Sequence, residues 1–247
     1  NGALRYAPNS QRFAFIDYEP VSERAEFAVG TLRLFDAGNL REGVRFDNVT
    51  AFDLRDELLA HLSLFTNTRG DADEAAVMVW RGSDTADEIT ALYAEQNCRF
   101  TSGQIAIVSE TQLAAVMGQR CASGDTRTRW QFYTIDTANR TATLALADYQ
   151  AGGYSPYTRT NNLISTGDSS TLLFTPADGL TRNTTAMIAV DMGNLSADNV
   201  IVRSGAVMPA WTPFRFALPT NAAPAFSLDG RWLALVLSTG TSASIGL

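Results

Sequence analysis

Two short phrases recur along this chain in a fixed order, and that recurrence narrows the fold more than any single motif. The first is a strand, a tight turn and a second strand. It reads Ala225-Phe-Ser-Leu-Asp-Gly-Arg-Trp-Leu-Ala-Leu-Val236 late in the chain and Tyr6-Ala-Pro-Asn-Ser-Gln-Arg-Phe-Ala-Phe-Ile16 near its start. Ile164 to Phe174 is a looser copy. Asp229-Gly230 between apolar runs is a hairpin signal, because glycine accepts the positive φ of the turn. The second phrase is a hydrophobic strand ending in Asp, with Asn three residues later: Asp36 and Asn39, Asp136 and Asn139, Asp191 and Asn194. Asp and Asn suit that place because their side chains bond nearby backbone N–H groups and tolerate left-handed geometry. Asp136 and Asp191 stand 55 residues apart and Asp36 and Asp136 100, about one and two periods of the roughly 40–60 residues of radially repeated β units.

The first unit reads as a meander. Leu4–Tyr6, Phe13–Ile16, Gly30–Asp36 and Val44–Val49 are its strands, with turns at Pro8-Asn9-Ser10 and Ala37-Gly38-Asn39. Leu32 and Leu34 fall on one face of the third strand, Arg33 and Phe35 on the other. The later unit, 161–208, places strands at Asn162–Ser165, Thr171–Thr175, Ala186–Asp191 and Val200–Ser204.

The middle, 53–124, supports two readings. As a small α/β insertion, Leu54, Leu58, Leu62 and Phe65 form one helical stripe capped by Asp53. Ile89, Leu92 and Tyr93 form a second stripe, and Ser109-Glu-Thr-Gln112 opens a third as a capping box. As two irregular blades, the strands are Leu62–Asn67, Ala76–Arg81, Gln104–Val108 and Gln112–Gly118. The blades are preferred, since the run from Trp130 to Ala147 then completes the second of them.

Composition excludes some chemistry. The formal net charge is −7, which disfavours general nucleic-acid binding, since phosphate contacts need a positive surface. Every basic residue is Arg, so a Schiff-base lysine, a phosphate-loop lysine and a Ser-Lys dyad are all excluded. No apolar run approaches the ~20 residues that span a bilayer. The chain begins at Asn1 without Met or a signal-like segment, and is expected to be a processed form or a fragment. Cys98 and Cys121 are read either as one disulfide, which fits an extracytoplasmic home, or as two buried thiols.

The two recurring phrases resemble the repeat of TolB-like, WD40-like (PD40-type) β-propellers. In that family a Ser-Pro-Asp-Gly-type hairpin precedes a hydrophobic strand, and a later strand ends in Asp followed by Gly or Asn. Here Phe226-Ser-Leu-Asp-Gly-Arg-Trp232, Asp36-Ala-Gly-Asn39 and Asp191-Met-Gly-Asn194 carry the likeness. It implies an all-β, β-propeller-like array of four-stranded antiparallel blades in one domain, 1–247. The blades fall at about 1–52, 53–97, 98–150 and 151–208, with a partial one at 209–247. So few blades leave the ring incomplete, its remainder lying outside the chain or its edges covered by a partner. The family includes periplasmic scaffolds, peptidase-associated propellers and surface proteins, so function must be read from a site.

Candidate sites are sparse. His61 is the only histidine; it stands in an apolar run, with no Gly-x-Ser-x-Gly nucleophile motif in the chain, and reads as structural. No zinc-ligand spacing is present. Asp71, Asp73 and Glu74 supply oxygen ligands for Ca²⁺ without the spacing of an EF-hand. Asp84, Asp87 and Glu88 are the carboxylates a glycosidase would need in pairs. Tyr149, Tyr154, Tyr157, Trp211, Phe214 and Phe216 lie in loop-like stretches and have the composition of a protein contact surface. No catalytic set and no cofactor motif emerges. The expectation is a non-catalytic, extracytoplasmic bacterial interaction scaffold, an extrinsic subunit with protein partners in a larger assembly. A hydrolase of peptides or glycans, or the propeller domain of one, is the alternative. A carbohydrate- or calcium-binding surface module is a third reading.

Overall fold

The computed structural model describes residues 4–7, 9–18, 29–66, 72–122 and 129–150, together with strands at 162–165, 171–175, 188–191, 225–226, 233–238 and 243–246. The chain divides into two compact units, Asn1–Thr126 with Trp130–Leu144, and Arg127–Arg129 with Ala145–Leu247.

The first unit contains two blades and all of a third except Arg129 and the end of its last strand after Leu144. Strands β1 (Leu4–Ala7), β2 (Arg12–Tyr18), β3 (Gly30–Asp36) and the first half of β4 (Glu42–Arg55) make blade 1. The second half of β4, with β5 (Leu58–Thr66), β6 (Ala72–Trp80) and β7 (Asp87–Tyr93), makes blade 2. β4 is 14 residues long and belongs to both, so β1–β7 form one seven-stranded antiparallel sheet. A register shift between Val49 and Ala51 and a positive φ of 59° at Asn48 mark the hand-over, as bulges do where a sheet must turn. Blade 3 is β8 (Cys98–Ile107), β9 (Gln112–Cys121), β10 (Arg129–Asp136) and β11 (Thr141–Gln150), in the order β11-β10-β9-β8.

Strand alternation decides which residues face which neighbour. Ala14, Ile16, Leu32 and Leu34 of blade 1 pack with Val49, Phe52, Leu54, Leu59 and Trp80 in one buried cluster. The opposite face of blade 2, with Ala60, Leu62, Leu64, Val77 and Val79, packs on Ile105, Ile107, Leu113, Met117 and Ile135 of blade 3. Blade 2 is thus buried on both faces. Gly103 on β8 lets the second contact close tightly: a Cβ there would stand 3.0 Å from Leu62 Cδ1 and 3.2 Å from Met117 Sδ. Where β1, β4 and β8 meet, the Asp53 carboxylate accepts the Ile107 N–H at 2.8 Å and lies 3.7 Å from Arg5 Nε.

The helical reading of 53–124 is corrected. The Leu54–Leu62 stripe is split by the Asp56-Glu57 turn into β4 and β5, and 87–93 is strand β7. The proposed capping box is the turn between β8 and β9, with the Ser109 N–H bonded to the Gln112 carbonyl at 3.0 Å. A strand buried on both faces carries a continuous apolar run, which hydrophobic periodicity alone cannot tell from a helix. Among the described residues there is no helix.

The recurring Asp phrase acts as its chemistry predicts. Asp36 Oδ1 accepts the Gly38 N–H at 2.8 Å and the Asn39 N–H at 3.3 Å. Asp136 Oδ1 accepts the Ala138 and Asn139 N–H groups, both at 2.9 Å, and the Asn139 backbone and side chain hold its carboxyl below the usual range. The left-handed residue, however, is the next one: Leu40 (φ 56°) and Arg140 (φ 55°).

In the second unit, β12 (Asn162–Ser165), β13 (Thr171–Thr175) and β14 (Ile188–Asp191) form an antiparallel sheet. β15 (Ala225–Phe226), β16 (Leu233–Ser238) and β17 (Ala243–Gly246) form another. The expected strand at Val200–Ser204 and the Asp229-Gly230 turn lie outside the described residues.

Candidate functional site

The face of blade 1 turned away from blade 2 is aromatic. Cross-strand register puts Leu4 opposite Phe15, Tyr6 opposite Phe13 and Phe13 opposite Phe35, all on that face. Phe35 stacks on Phe13 and Phe15, with ring centroids 5.1 and 5.6 Å apart. Leu4 is 63% exposed and Tyr6 56%, and the three phenylalanines are half-buried. Around them run charges of both signs. Arg33 lies 3.7 Å from Asp17 and 3.4 Å from Glu42, Thr31 donates to Asp47 at 3.0 Å, and Arg45 stands opposite Arg33. An apolar centre with a polar rim is the anatomy of a protein interface. The sequence signal is the aromatic placing at 13, 15 and 35, alternating on β2 with Ala14 and Ile16 of the core.

His61 sits in the contact between blades 1 and 2. It is buried, stacked on Phe46 at 4.8 Å, with Nδ1 3.2 Å from Ser63 Oγ and no partner for Nε2. Burial alone lowers its pKa from 6.5 to about 3. A neutral imidazole walled in beside a buried serine, with no carboxylate bonded to it, lacks the acid member and the access of a triad.

The opposite contact of blade 2 ends in a polar cluster. Gln119 Oε1 accepts the Glu95 N–H at 3.1 Å. Gln131 Nε2 donates to Glu95 Oε1 at 3.0 Å, and Tyr133 donates to Gln131 Oε1 at 2.8 Å. Burial, and secondarily the charge of Glu95, raises the Tyr133 pKa. Beside this cluster Cys98 and Cys121, opposite each other in register, form a disulfide across a sequence separation of 23.

Of the calcium candidates, Asp73 and Glu74 are adjacent at the start of β6, where the pairing with β5 shifts register between Phe65 and Thr66, and Asp71 lies outside the described residues. Strand alternation separates Asp87 from Glu88 on β7, and Asp84 lies in the preceding exposed bend. Of the expected contact aromatics, Tyr149 falls on β11; Tyr154, Tyr157, Trp211, Phe214 and Phe216 lie outside the described residues.

No known family model matches the sequence, and no curated protein matches it. Solved structures do. The chain is similar to the β-propeller domain of the trilobed protease from Pyrococcus furiosus, at 9% identity over 99% of this chain and 67% of that one, with a TM-score of 0.56. It is similar to an oligogalacturonate lyase in complex with manganese, at 11% identity over 99% of this chain and 64% of that one, TM-score 0.55. It is also similar to the N-terminal domain of Nup159, at 13% identity over 95% and 61%, TM-score 0.51. The fold is all-β and propeller-like. The chain spans 61–67% of the length of these structures, two of which are named for enzymes, a protease and a lyase. Fold likeness at such identity carries no activity across.

Proposed function

We propose that this chain is a non-catalytic interaction scaffold, extracytoplasmic and part of a larger assembly, and that blade 1 docks its aromatic face on a partner protein that offers an apolar β-sheet face. The observation that carries the reading is the half-buried stack of Phe13, Phe15 and Phe35 beside the exposed Leu4 and Tyr6. The expected partner surface follows from the molecule itself: each blade contact in the first unit is sheet on sheet, closed at its rim by polar pairs such as Asn9 to Asp56 at 2.6 Å and by Arg12 over Trp80 at 5.1 Å. The outer face has the same plan, with mixed charges at its rim and the aromatic anchors that dominate binding energy at its centre.

Two features support the rest of the reading. A Ser-His hydrolase mechanism within this chain would depend on its single histidine, and that side chain is desolvated and enclosed. The Cys98–Cys121 disulfide is in keeping with an oxidising compartment. The TolB-like repeat type rests on the recurring phrases alone.

The test is to isolate the native complex by mild extraction and measure its mass, then repeat with Tyr6→Ser, Phe13→Ser and Phe35→Ser combined. The scaffold reading expects an assembly heavier than this chain that the triple variant, still folded by circular dichroism, fails to join. A free monomer, or a complex indifferent to the triple change, overturns it.

A further inference from the structure

The polar cluster beside the disulfide contains more donor chemistry than a covalent staple requires. A Glu95 carboxylate oxygen and the two sulfurs all lie within 4.8 Å of one another. Their backbone is fixed from several directions. Glu95-Gln96-Asn97-Cys98 is a tight turn closed by the Cys98 N–H to the Glu95 carbonyl at 2.8 Å, with Asn97 in the left-handed position at φ 64°. The Ala122 N–H bonds the Asn97 carbonyl at 3.0 Å, which ties the Cys121 side to the same turn. Two donors spaced by two residues on a hydrogen-bonded turn, with a third opposite on a strand, is a compact arrangement for a small cation.

The carboxylate is also held from behind. Gln131 Nε2 donates to Glu95 Oε1, and Tyr133 in turn donates to Gln131. Gln119 grips the Glu95 backbone and keeps a buried Nε2 without a hydrogen-bond partner. Hydrogen-bonded outer layers of this kind orient metal ligands. Glu95 is exposed and both cysteines are half-buried, so a cation reaches the donors from solvent.

We propose that Glu95, Cys98 and Cys121 form a redox-gated site for a thiophilic divalent cation of the Zn²⁺ class. In the oxidised chain the sulfur–sulfur bond occupies both thiolate donors and the site is closed. A dithiol reductant opens it: two electrons and two protons convert the disulfide to two thiols, while the dithiol becomes its own disulfide. Zn²⁺ then displaces the two thiol protons and takes two sulfurs and one carboxylate oxygen, leaving a position for water. The paired ends of β8 and β9 are then clamped in either state, covalently when oxidised and by the cation when reduced. This inference is independent of the docking face.

The test uses the whole chain, reduced with dithiothreitol, freed of it anaerobically, and titrated with Co²⁺ and then Zn²⁺. One equivalent of Co²⁺ is expected to give a sulfur-to-cobalt charge-transfer band that Zn²⁺ abolishes, with no band in the unreduced chain. Zn²⁺ should raise the melting temperature of the reduced chain only. Glu95→Gln keeps the disulfide and should weaken the affinity at least tenfold, whereas Cys98→Ser should abolish binding. A reduced chain that binds no cobalt, or an affinity unchanged by Glu95→Gln, overturns the proposal.

Discussion

Blades 1 and 3 flank blade 2 and use the same Asp-to-Asn turn, yet their second faces differ in kind. On blade 3, Ala106, Ala114, Val116 and Phe132 are buried on the side away from blade 2. They are small or aliphatic except for one ring. On blade 1 the corresponding side carries Phe13, Phe15 and Phe35, partly open to water, among Asp17, Arg33, Glu42 and Arg45. Their faces toward blade 2 are alike, mostly Ala, Ile and Leu, with Val49 and Phe46 on blade 1 and Phe100 and Met117 on blade 3. The difference teaches that alternation places residues on faces, while residue type distinguishes a closed face from a partly open one. A permanent core uses close-packing aliphatics; a docking face uses aromatics with charges around them.

The sharpest way to break this contrast is to put a charge on each second face. Val116→Asp buries an unpaired carboxylate and is expected to cost more than about 4 kcal/mol. Phe15→Asp leaves its carboxylate near water and should cost about 1–2 kcal/mol, mostly lost ring contact. Urea unfolding midpoints of the two variants decide it. Equal costs would mean that the aromatic face is as closed as its counterpart, and the docking proposal would fall with it.

The two contacts of blade 2 should also fail at opposite ends of the pH scale. His61, on the blade 1 side, has its pKa lowered from 6.5 to about 3. The unfolded chain therefore takes up a proton that the folded chain refuses. Stability is full above pH 6.5 and falls as pH drops toward 3, at about 1.4 kcal/mol per unit. Tyr133, on the blade 3 side, has its pKa raised above 10.0 by burial first and Glu95 second. The unfolded chain gives up that proton first, so this contribution is full below pH 10 and is lost as pH rises through the raised value. Denaturation across pH should show His61→Leu flattening the acid limb and Tyr133→Phe the alkaline limb. An acid limb unaltered by His61→Leu would show that the imidazole is not shielded as its surroundings imply.

Much of the architecture was legible in the sequence, for reasons that can be named. Asp36 and Asp136 announce their turns because the bonds they make are local. β3 announces itself because Leu32 and Leu34 on its covered face alternate with Thr31 and Arg33, and β2 because its short apolar run is bounded by Arg12 and Asp17. Blade 2 was ambiguous for the converse reason: both its faces are buried, and Leu54, Leu58 and Leu62 fit a helical stripe as well as a doubly covered strand. β7 was misread because Ile89 and Leu92 meet the core three residues apart, a spacing that the irregular β6–β7 register between Val77 and Met78 allows. The aromatic face was visible as residue types at 13, 15 and 35, but exposure is a tertiary property. The convergence of Glu95 with Cys98 and Cys121 depends on the pairing of β8 with β9, which no local pattern prints.

The smallest effect concerns the shared turn and separates what the two blades hold in common from what they do not. Leu40 and Arg140 both adopt left-handed backbone, a geometry that costs a non-glycine L-residue about 1 kcal/mol. Glycine removes that cost and adds back some unfolded-state entropy. Leu40 is 69% exposed, so its side chain has little packing to lose. Leu40→Gly should therefore stabilise the chain by about 0.5 kcal/mol, read as a small rise in melting temperature. Arg140 differs because its guanidinium donates to the Glu88 carbonyl, which joins blade 3 to blade 2. Arg140→Gly relieves the same backbone and discards that bond, a loss of about 0.5–1.5 kcal/mol if it acts as a typical hydrogen bond, so its net change should be zero or slightly destabilising. Equal gains from both variants would show that the arginine contributes nothing across the blades, and that blade 3 is joined to blade 2 by its apolar face and by other polar bonds, such as that from the Ile107 N–H to Asp53.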